Sequence, residues 1–410
     1  MHLDQARALI LSTVRPVGEV ESIPTPEALG RVSAESIRAL GDQPRLSLSR
    51  VDGFAVRSSD TTSASPERPV RLRVGGLLRA GEATPASLGP GMALAIATGA
   101  ALPIGADAVI PWEEVHILPR DADLRSAREV LVPRAATPGK HVTHPGEEAR
   151  QGEVLLWPDD TVDLTALNAL LAQGVASLPV RRTPRVGILP TGSELVPWDA
   201  PKAAPYQVRC SNAVLLAQLV QRARGTPVPF TPVPDDLGAL REAIVQTAEG
   251  SSLDLLITTG GASRGPFDFT VAAVADLGEV LFAELAVSPG QGTAFGLVQG
   301  VPVLCLPGGA LSARILFEVL ARPAVLRLGG RCHVLRERFQ VHLTEDVQAR
   351  PGTTRLVPAC LHWTEDGWLA QPRKARAFRC PGHWEGLLFV QEGADPVAEI
   401  WEAPETVSFP

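Results

Sequence analysis

The chain has 410 residues, which is too many for one compact core, so we expect two to four domains. Hydrophobic residues make up 45% of the sequence and charged residues 20%, the composition of an ordinary globular protein. The net charge of −7 argues against a general binder of nucleic acid or of membrane surfaces.

The first 14 residues, MHLDQARALILSTV, have the spacing of an amphipathic helix. They lack the basic start and the cleavage site of a signal peptide. No apolar stretch approaches the ~20 residues that a transmembrane helix needs. We therefore expect a soluble protein of the cytoplasm with no membrane partner.

The cysteines are scattered and never form a C-x-x-C pair, so the sequence predicts neither a zinc site nor a disulfide framework. Cys305 lies in the apolar run VPVLCLPG and is expected to pack in the core. The full set is Cys210, Cys305, Cys332, Cys360 and Cys380.

Residues 28–136 contain short β-like runs broken by Gly and Pro, such as VRLRVGGLLRAGE and GADAVIPWEEV. After them, DTVDLTALNALLAQ has apolar residues at helical spacing, with Asp160 or Thr161 as a candidate cap. Because a helical segment lies on each side, we predict a β domain inserted into a helical stalk that also dimerises. The stalk would consist of residues 1–27 and 137–181.

Residues 182–329 alternate between buried-type strands and helices with short links, beginning with RVGILPTG and SNAVLLAQLVQRA. This alternation predicts a three-layer α/β domain with a parallel sheet, in which right-handed crossovers bring all carboxyl ends of the strands to one edge. Residues 330–410 return to strand-like alternation and should form a small β-barrel or sandwich. The overall prediction is a multidomain protein with one α/β part and two β parts.

Three loops at the expected carboxyl edge of the sheet are rich in glycine, and ligands of open α/β sheets bind at this edge. Glycine lets the backbone approach a ligand, and the N–H groups at the following helix starts can cradle an anion. One such loop alone could be no more than a tight turn, but three together favour a phosphate-bearing ligand. The loops are Thr191-Gly192-Ser193-Glu194, Gly260-Gly261-Ala262-Ser263 and Pro307-Gly308-Gly309-Ala310.

Acidic residues accompany these loops: Glu194, the pair Asp235-Asp236, and Asp268. Asp236 or Asp268 could instead be a helix N-cap. Carboxylates beside a phosphate cradle more often hold Mg²⁺ through water than touch the phosphate. The residues themselves therefore indicate a nucleotide-like ligand with a divalent metal.

Several motifs carry a family resemblance that spans nearly the whole chain and is weakest after residue 330. They are VDGFAV from Val51, TGAALPIGADAVIPWEE from Thr98, TGSEL from Thr191, the pair at Asp235, TGGASRGPFDFT from Thr259 and PGG from Pro307. With these motifs in this order, the sequence resembles the molybdopterin molybdenumtransferase (MoeA) family, whose animal relatives include the corresponding domain of gephyrin.

The resemblance implies an elongated homodimer of four-domain subunits, in which the cleft lies between the α/β domain of one subunit and the inserted β domain of the other. It implies Mg²⁺-assisted insertion of molybdate into adenylyl-molybdopterin with release of AMP. The catalytic residues would be Asp52, Thr98, Glu194 and Asp268, with Glu194 and Asp268 also holding Mg²⁺. The substrate-binding residues would be Gly192, Ser193, Asp235, Gly260, Gly261, Ser263, Arg264, Pro307 and Gly308.

The sequence departs from the family pattern at several site positions. Where the family has lysines in K-P-G-K-P, this chain has Ser288-Pro289-Gly290-Gln291-Gly292, and its PGNP loop reads PGGA from Pro307. Arg264 either returns one charge to the cleft or is a solvated surface residue. Three functions stay open. The first is an active molybdenum insertase with a rearranged anion site, and the second is a paralogue that binds the pterin nucleotide or a partner as a carrier or scaffold without efficient turnover. The third is a related transferase for a different metal oxyanion, such as tungstate.

Overall fold

The computed structural model describes residues 1–83, 87–250, 252–262, 265, 269–373 and 385–401. Three of the predicted site residues, Ser263, Arg264 and Asp268, lie outside the described residues. Within the described ranges, every helix is too short or too polar to cross a bilayer.

The segment predicted as an α/β domain contains a six-stranded sheet. Its first four strands in space pair in parallel, and the last two are joined to the sheet and to each other by antiparallel pairing. The prediction of a wholly parallel sheet is therefore wrong at one edge. Gln299 and Gly300 both have positive φ, 51° and 82°, and this tight two-residue turn folds the chain back as a hairpin. In spatial order the strands are Thr226–Pro229, Arg185–Pro190, Leu255–Thr259, Val301–Leu306, Ala294–Val298 and Gly278–Phe282.

Helices cover both faces of this sheet, as the alternating sequence predicted. Leu216 and Leu320 belong to the apolar cluster on one face, and Leu240 and Ala273 to the cluster on the other. Cys305 is 1% exposed and packs in the second cluster, which confirms its expected structural role. The helices are Leu3–Thr13, Ser211–Arg222, Leu237–Gly250, Thr270–Leu277, Ala310–Leu316 and Arg322–Leu328, with a π-helical turn over Phe317–Ala321 joining the last two.

The helix Leu3–Thr13 belongs to the α/β core and not to the stalk, which corrects the sequence-based assignment. Its apolar stripe, which includes Leu3 and Ile10, packs in the same cluster as the sheet residue Ile188. On its other side Arg7 forms a buried ion pair with Glu399, 3.0 Å long, in the carboxyl-terminal segment. Local periodicity predicted the helix, but its packing partners, such as Ile188 and Glu399, are far from it in the sequence.

The segments predicted as a helical stalk also contain antiparallel β ladders, which the sequence did not predict. The one described helix of residues 137–181, Leu164–Ala172, is capped by Asp163, which accepts from the amide of Ala166, and not by Asp160 or Thr161. The antiparallel ladders pair Val20–Pro24 with Ser177–Arg181 and Ile37–Arg38 with Val154–Leu156.

The inserted β domain is a six-stranded sheet with apolar clusters on both faces. Glycine is required at position 53, at the start of the strand Gly53–Val56, because a Cβ there would lie 2.1 Å from the carbonyl oxygen of Ile110. A short ladder between Leu48–Ser49 and Val142–Thr143 crosses the boundary predicted at residue 136, and the domain boundaries stay predictions. In spatial order the strands are Ala108–Pro111, Gly53–Val56, Met92–Ile96, Val70–Leu78, Glu129–Val132 and His116–Leu118.

The carboxyl-terminal segment forms one curled sheet. Its two edge strands are separated in the chain by Val341 alone, so the two edges of the sheet meet at one residue. Val287–Ser288 of the preceding domain adds to the long strand in parallel. In spatial order the strands are Arg338–Gln340, Val397–Ile400, Gly386–Val390, Thr354–Thr364, Gly367–Pro372 and His342–Leu343.

Candidate active site

A cleft of about 550 Å³ lies at the carboxyl ends of the parallel strands, the edge where the sequence predicted a ligand. All three glycine loops reach it. The predicted site residues that line it are Gly192, Glu194, Asp235, Gly260, Gly261 and Gly308. The structure therefore brings these six together, while their chemical roles stay predictions.

Glycine is needed in the loops because the backbone segments approach each other closely. Gly260 has a φ of 106°, and a Cβ there would lie 2.2 Å from the carbonyl oxygen of Thr191. At Gly192, with a φ of 151°, a Cβ would lie 2.7 Å from a carboxylate oxygen of Glu194. Any side chain at either position would push the first two loops apart or displace Glu194.

Ser193 and Asp235 tie the first loop to the loop after Thr226–Pro229. The amide of Ser193 donates to Asp235 Oδ2, and the amide of Asp235 donates to Ser193 Oγ, both at 2.9 Å. Ser193 itself does not line the cleft. The neighbouring Asp236 caps the helix Leu237–Gly250 by accepting from the amide of Ala239, the alternative that the sequence left open.

The third loop is held by two residues that sequence reasoning missed, Asn212 and Thr259. Asn212 Nδ2 donates to the carbonyl oxygen of Gly308 at 2.7 Å and lies 3.2 Å from Thr259 Oγ1. Thr259 Oγ1 in turn donates to the carbonyl oxygen of Pro307 at 3.3 Å. The available signal was the Ser-Asn pair directly before the apolar run of the helix that starts at Ser211.

The start of the helix Ser211–Arg222 lines the cleft. Its N-cap residue, Cys210, makes no side-chain capping hydrogen bond, so the first N–H groups of this helix are available to an anion. Burial raises the pKa of the Cys210 thiol, which keeps it neutral at pH 7. This wall of the cleft therefore offers uncharged donors.

Arg209 is the one basic residue among the described residues that line the cleft, and sequence reasoning did not select it. It belongs to the short strand Val208–Arg209, which pairs in parallel with Leu195–Val196 beside Glu194. Its guanidinium donates to the carbonyl oxygens of Trp198, at 3.0 Å, and of Ala200. These bonds hold a positive charge at the rim of the cleft.

Asp52 and Thr98 form a second cluster, in the inserted β domain, and neither lines the cleft. The amide and the hydroxyl of Thr98 both donate to Asp52 Oδ1, at 2.7 and 3.0 Å. Asp52 directly precedes Gly53, and Thr98 follows Ile96 by two residues. The two side chains are close because Gly53 and Ile96 lie opposite each other in neighbouring strands. Both are exposed, so this cluster presents its polar groups outward.

Comparison with known proteins gives this arrangement a family. Residues 1–174 match the description "MoeA N-terminal region (domain I and II)", and residues 187–327 match "Probable molybdopterin binding domain". The chain is 35% identical to the molybdopterin molybdenumtransferase of Bacillus subtilis over 359 residues, 87% of this chain and 81% of that protein. It is 31% identical to molybdopterin molybdenumtransferase 2 of Mycobacterium tuberculosis over 408 residues, 96% of this chain and 97% of that protein.

A solved structure agrees with these sequence matches. A molybdopterin biosynthesis MoeA protein from Pyrococcus horikosii superposes with a TM-score of 0.77 at 29% identity, covering 98% of this chain and all of that one. The chain belongs to the MoeA family of molybdopterin molybdenumtransferases. The resemblance drawn from the motifs is thereby confirmed, and with it the assignment to a family of transferase enzymes.

The two positions where the family resemblance leads us to expect lysines are Ser288 and Gln291. Neither of them lines the cleft of its own chain, and both are exposed. Between them Gly290, with a φ of 110°, packs against Leu316 at the far end of the helix whose start borders the cleft. The described lining of the cleft therefore does not include either position.

The described part of the cleft offers two carboxylates, Glu194 and Asp235, to a metal ion. Within the described ranges, no group of three or more His, Cys, Asp or Glu side chains is placed to bind a metal. Hard oxygen donors of this kind suit Mg²⁺, which keeps several of its waters and uses one or two carboxylates. Asp268, the other predicted ligand, lies outside the described residues.

Proposed function

We propose that this chain catalyses the insertion of molybdate into adenylyl-molybdopterin with release of AMP, as a Mg²⁺-dependent cytoplasmic homodimer. The observation that supports this most is the cleft at the carboxyl edge of the sheet. It combines three close-packed glycine loops with Arg209 and Glu194 in a chain of the MoeA family.

The residues of the cleft divide the work of holding a charged nucleotide. The glycine loops and the start of the helix Ser211–Arg222 would hold phosphate oxygens through N–H donors, and Arg209 would supply a fixed positive charge. Glu194, with Asp268, would hold Mg²⁺, which neutralises charge on the phosphoanhydride when bound. Asn212 keeps the third loop in place by its bond to Gly308.

The proposed reaction has two balanced parts. Water adds across the phosphoanhydride, so AMP leaves and the pterin keeps its own phosphate. Molybdate then binds two dithiolene sulfurs in place of one oxygen, which leaves as water with the two thiol protons. The oxidation state of molybdenum does not change, so no external reductant is needed.

The separation of Asp52 and Thr98 from the cleft supports the proposed dimer. Both are exposed and hydrogen-bonded to each other, yet neither lines the cleft of its own chain. In the proposed dimer, the Asp52–Thr98 cluster of one subunit completes the cleft of the other. The Thr98 hydroxyl would then face an oxyanion there.

A single-turnover assay with adenylyl-molybdopterin tests the proposed reaction. The wild-type protein should release one AMP per pterin only when Mg²⁺ is present, and Glu194→Gln should release AMP at least a hundredfold more slowly. Lys202→Gln, on an exposed loop residue that does not line the cleft, should behave as the wild type. Tight pterin binding without AMP release by the wild type would refute the proposal and indicate a carrier.

Mixing two inactive variants tests the shared cleft. Suppose that Asp52→Asn and Glu194→Gln each lose AMP release. A dimer that contains one subunit of each variant should then have one active cleft out of two, because that cleft receives an intact Asp52 from one subunit and an intact Glu194 from the other. Equal mixtures that stay inactive after subunit exchange would show that each cleft is built within one chain.

A further inference from the structure

A second depression lies at the opposite edge of the large sheet and is lined by arginines. Pro184, at its wall, precedes the strand Arg185–Pro190, whose other end leads into the cleft. At ~3.3 Å per residue this strand separates the two sites by about 20 Å. The lining arginines are Arg31, Arg181, Arg182, Arg224 and Arg331.

Three of these arginines are neutralised. Each forms an ion pair 2.5 to 3.0 Å long: Arg31 with Glu21, Arg181 with Asp159, and Arg182 with Asp254. Their charges therefore add little to the depression.

Arg224 and Arg331 have no carboxylate partner among the described residues, and they converge on Gly30. Arg331 Nη2 donates to the carbonyl oxygen of Gly30 at 2.6 Å. A Cβ at Gly30 would lie 3.2 Å from both the guanidinium carbon of Arg224 and Nη2 of Arg331. The pKa of Arg331 is lowered, first by burial and then by the charge of Arg224. Two like charges, on the exposed Arg224 and the part-buried Arg331, thus lie together with no carboxylate paired to either among the described residues.

Helix ends explain only part of this arrangement. Arg224 follows the helix Ser211–Arg222, and Arg331 follows the helix Arg322–Leu328. The carbonyl groups at a helix carboxyl end attract a cation, which accounts for one arginine at each end. They do not account for the two guanidinium groups turning toward the same point, where each repels the other.

We propose that Arg224 and Arg331 bind a small tetrahedral oxyanion of the class of sulfate, phosphate and molybdate. The planar donor fork of arginine matches such oxygens in pairs. The enclosed part of the depression has a volume of about 20 Å³, little more than one water needs, so the anion would bind at its mouth beside the exposed Arg224. Since Gly30 and Arg181 come from the stalk and Arg224 from the α/β domain, the anion ties these two parts together. This inference does not depend on the proposed catalytic function.

Isothermal titration with sulfate in low-chloride buffer tests the site. In the Arg209→Gln background, which removes the cation of the cleft, the chain should bind one sulfate, and adding Arg224→Asn should weaken this binding at least tenfold. Asparagine suits this position, because Arg224 has a φ of 62° and asparagine tolerates left-handed backbone. Arg120→Gln, an exposed charge in the inserted domain, and Arg209→Gln, in the cleft, should both keep sulfate binding.

Thermal unfolding gives a second readout. At low millimolar sulfate, below the range in which sulfate stabilises proteins generally by exclusion from their surface, the unfolding midpoint of the wild type and of Arg120→Gln should rise more than that of Arg224→Asn. Arg331→Lys, which keeps the charge but loses the fork, should bind with intermediate affinity. Competition by phosphate and by molybdate would rank the natural ligands. Sulfate binding by Arg224→Asn equal to that of the wild type, or no saturable binding by the wild type, would overturn the proposal.

Discussion

At the scale of single residues, Arg209 is the one basic side chain among the described residues that line the cleft. Within the described part of the chain its guanidinium is held by carbonyl oxygens and not by a carboxylate, so its charge remains available to a phosphate. Its position beside Glu194, across the short parallel ladder, places a cation and an anion on neighbouring walls. Such a pair can hold a phosphate and a phosphate-bound metal ion at the same time.

Arg209→Gln should weaken binding of adenylyl-molybdopterin by about 10- to 100-fold, since a charge-assisted hydrogen bond is worth ~1.5–3 kcal/mol. Arg209→Lys should recover part of this loss, because it restores the charge without the fork. Equilibrium binding of the pterin nucleotide measures both. Unchanged affinity in Arg209→Gln would mean that another residue, for example Arg264, supplies the positive charge that binds the phosphate.

Cys305 gives a pH dependence of stability. Burial raises the pKa of its thiol from 9.0 to about 11, so the folded chain keeps a proton that the unfolded chain loses between these values. The free energy of unfolding should therefore fall by about 2–3 kcal/mol as the pH rises from 9 to 11, with the full contribution present below pH 9. Urea unfolding across this range should show a flatter pH dependence for Cys305→Ala, and equal slopes would contradict the assignment.

At the scale of elements, close backbone approaches decide which strands can pair. Gly53 follows Asp52 directly and lies in a strand that is buried along its whole length. Its contact with the Ile110 carbonyl fixes the spacing of the two strands and hence the direction in which Asp52 leaves the sheet.

Gly53→Ala should destabilise the inserted domain by about 1–3 kcal/mol, the usual cost of overpacking a core, and should slow AMP release by displacing Asp52. Gly18→Ala is the matched control, because a Cβ at Gly18 meets no atom within 4 Å. Limited proteolysis and thermal unfolding report the first effect. Equal stability of the two variants would show that the strands can separate without cost.

Local sequence patterns predicted the elements better than their partners. Helical spacing found the helices starting at Leu3 and Ser211, and glycine after strands found the loops of the cleft. The pattern of Leu3–Thr13 carries no information on which core buries its apolar stripe, so the helix was placed in the stalk. Arg209 was missed because it enters the cleft from a short side ladder. Asn212 was missed because it lies in the first turn of a helix and not at a strand end of the main sheet.

At the scale of the whole molecule, the two ends of the chain are joined in the folded structure. Glu399, 1% exposed, accepts from Arg7 in the first helix and from Arg338 in the carboxyl-terminal sheet, each at 3.0 Å. Arg338 also bonds Asp4 at 2.9 Å. This network fixes the carboxyl-terminal sheet against the α/β domain. The predicted site residues of the inserted domain, Asp52 and Thr98, do not line the cleft of their own chain.

The most direct test of the account is the amount of molybdenum bound to the pterin after reaction at micromolar molybdate. We predict that the wild-type protein yields one molybdenum per pterin by mass spectrometry of the isolated product, and that Glu194→Gln and Asp52→Asn yield almost none. Lys202→Gln should match the wild type. Pterin that remains bound to the wild-type protein but free of molybdenum, with molybdate and Mg²⁺ both present, would contradict the account.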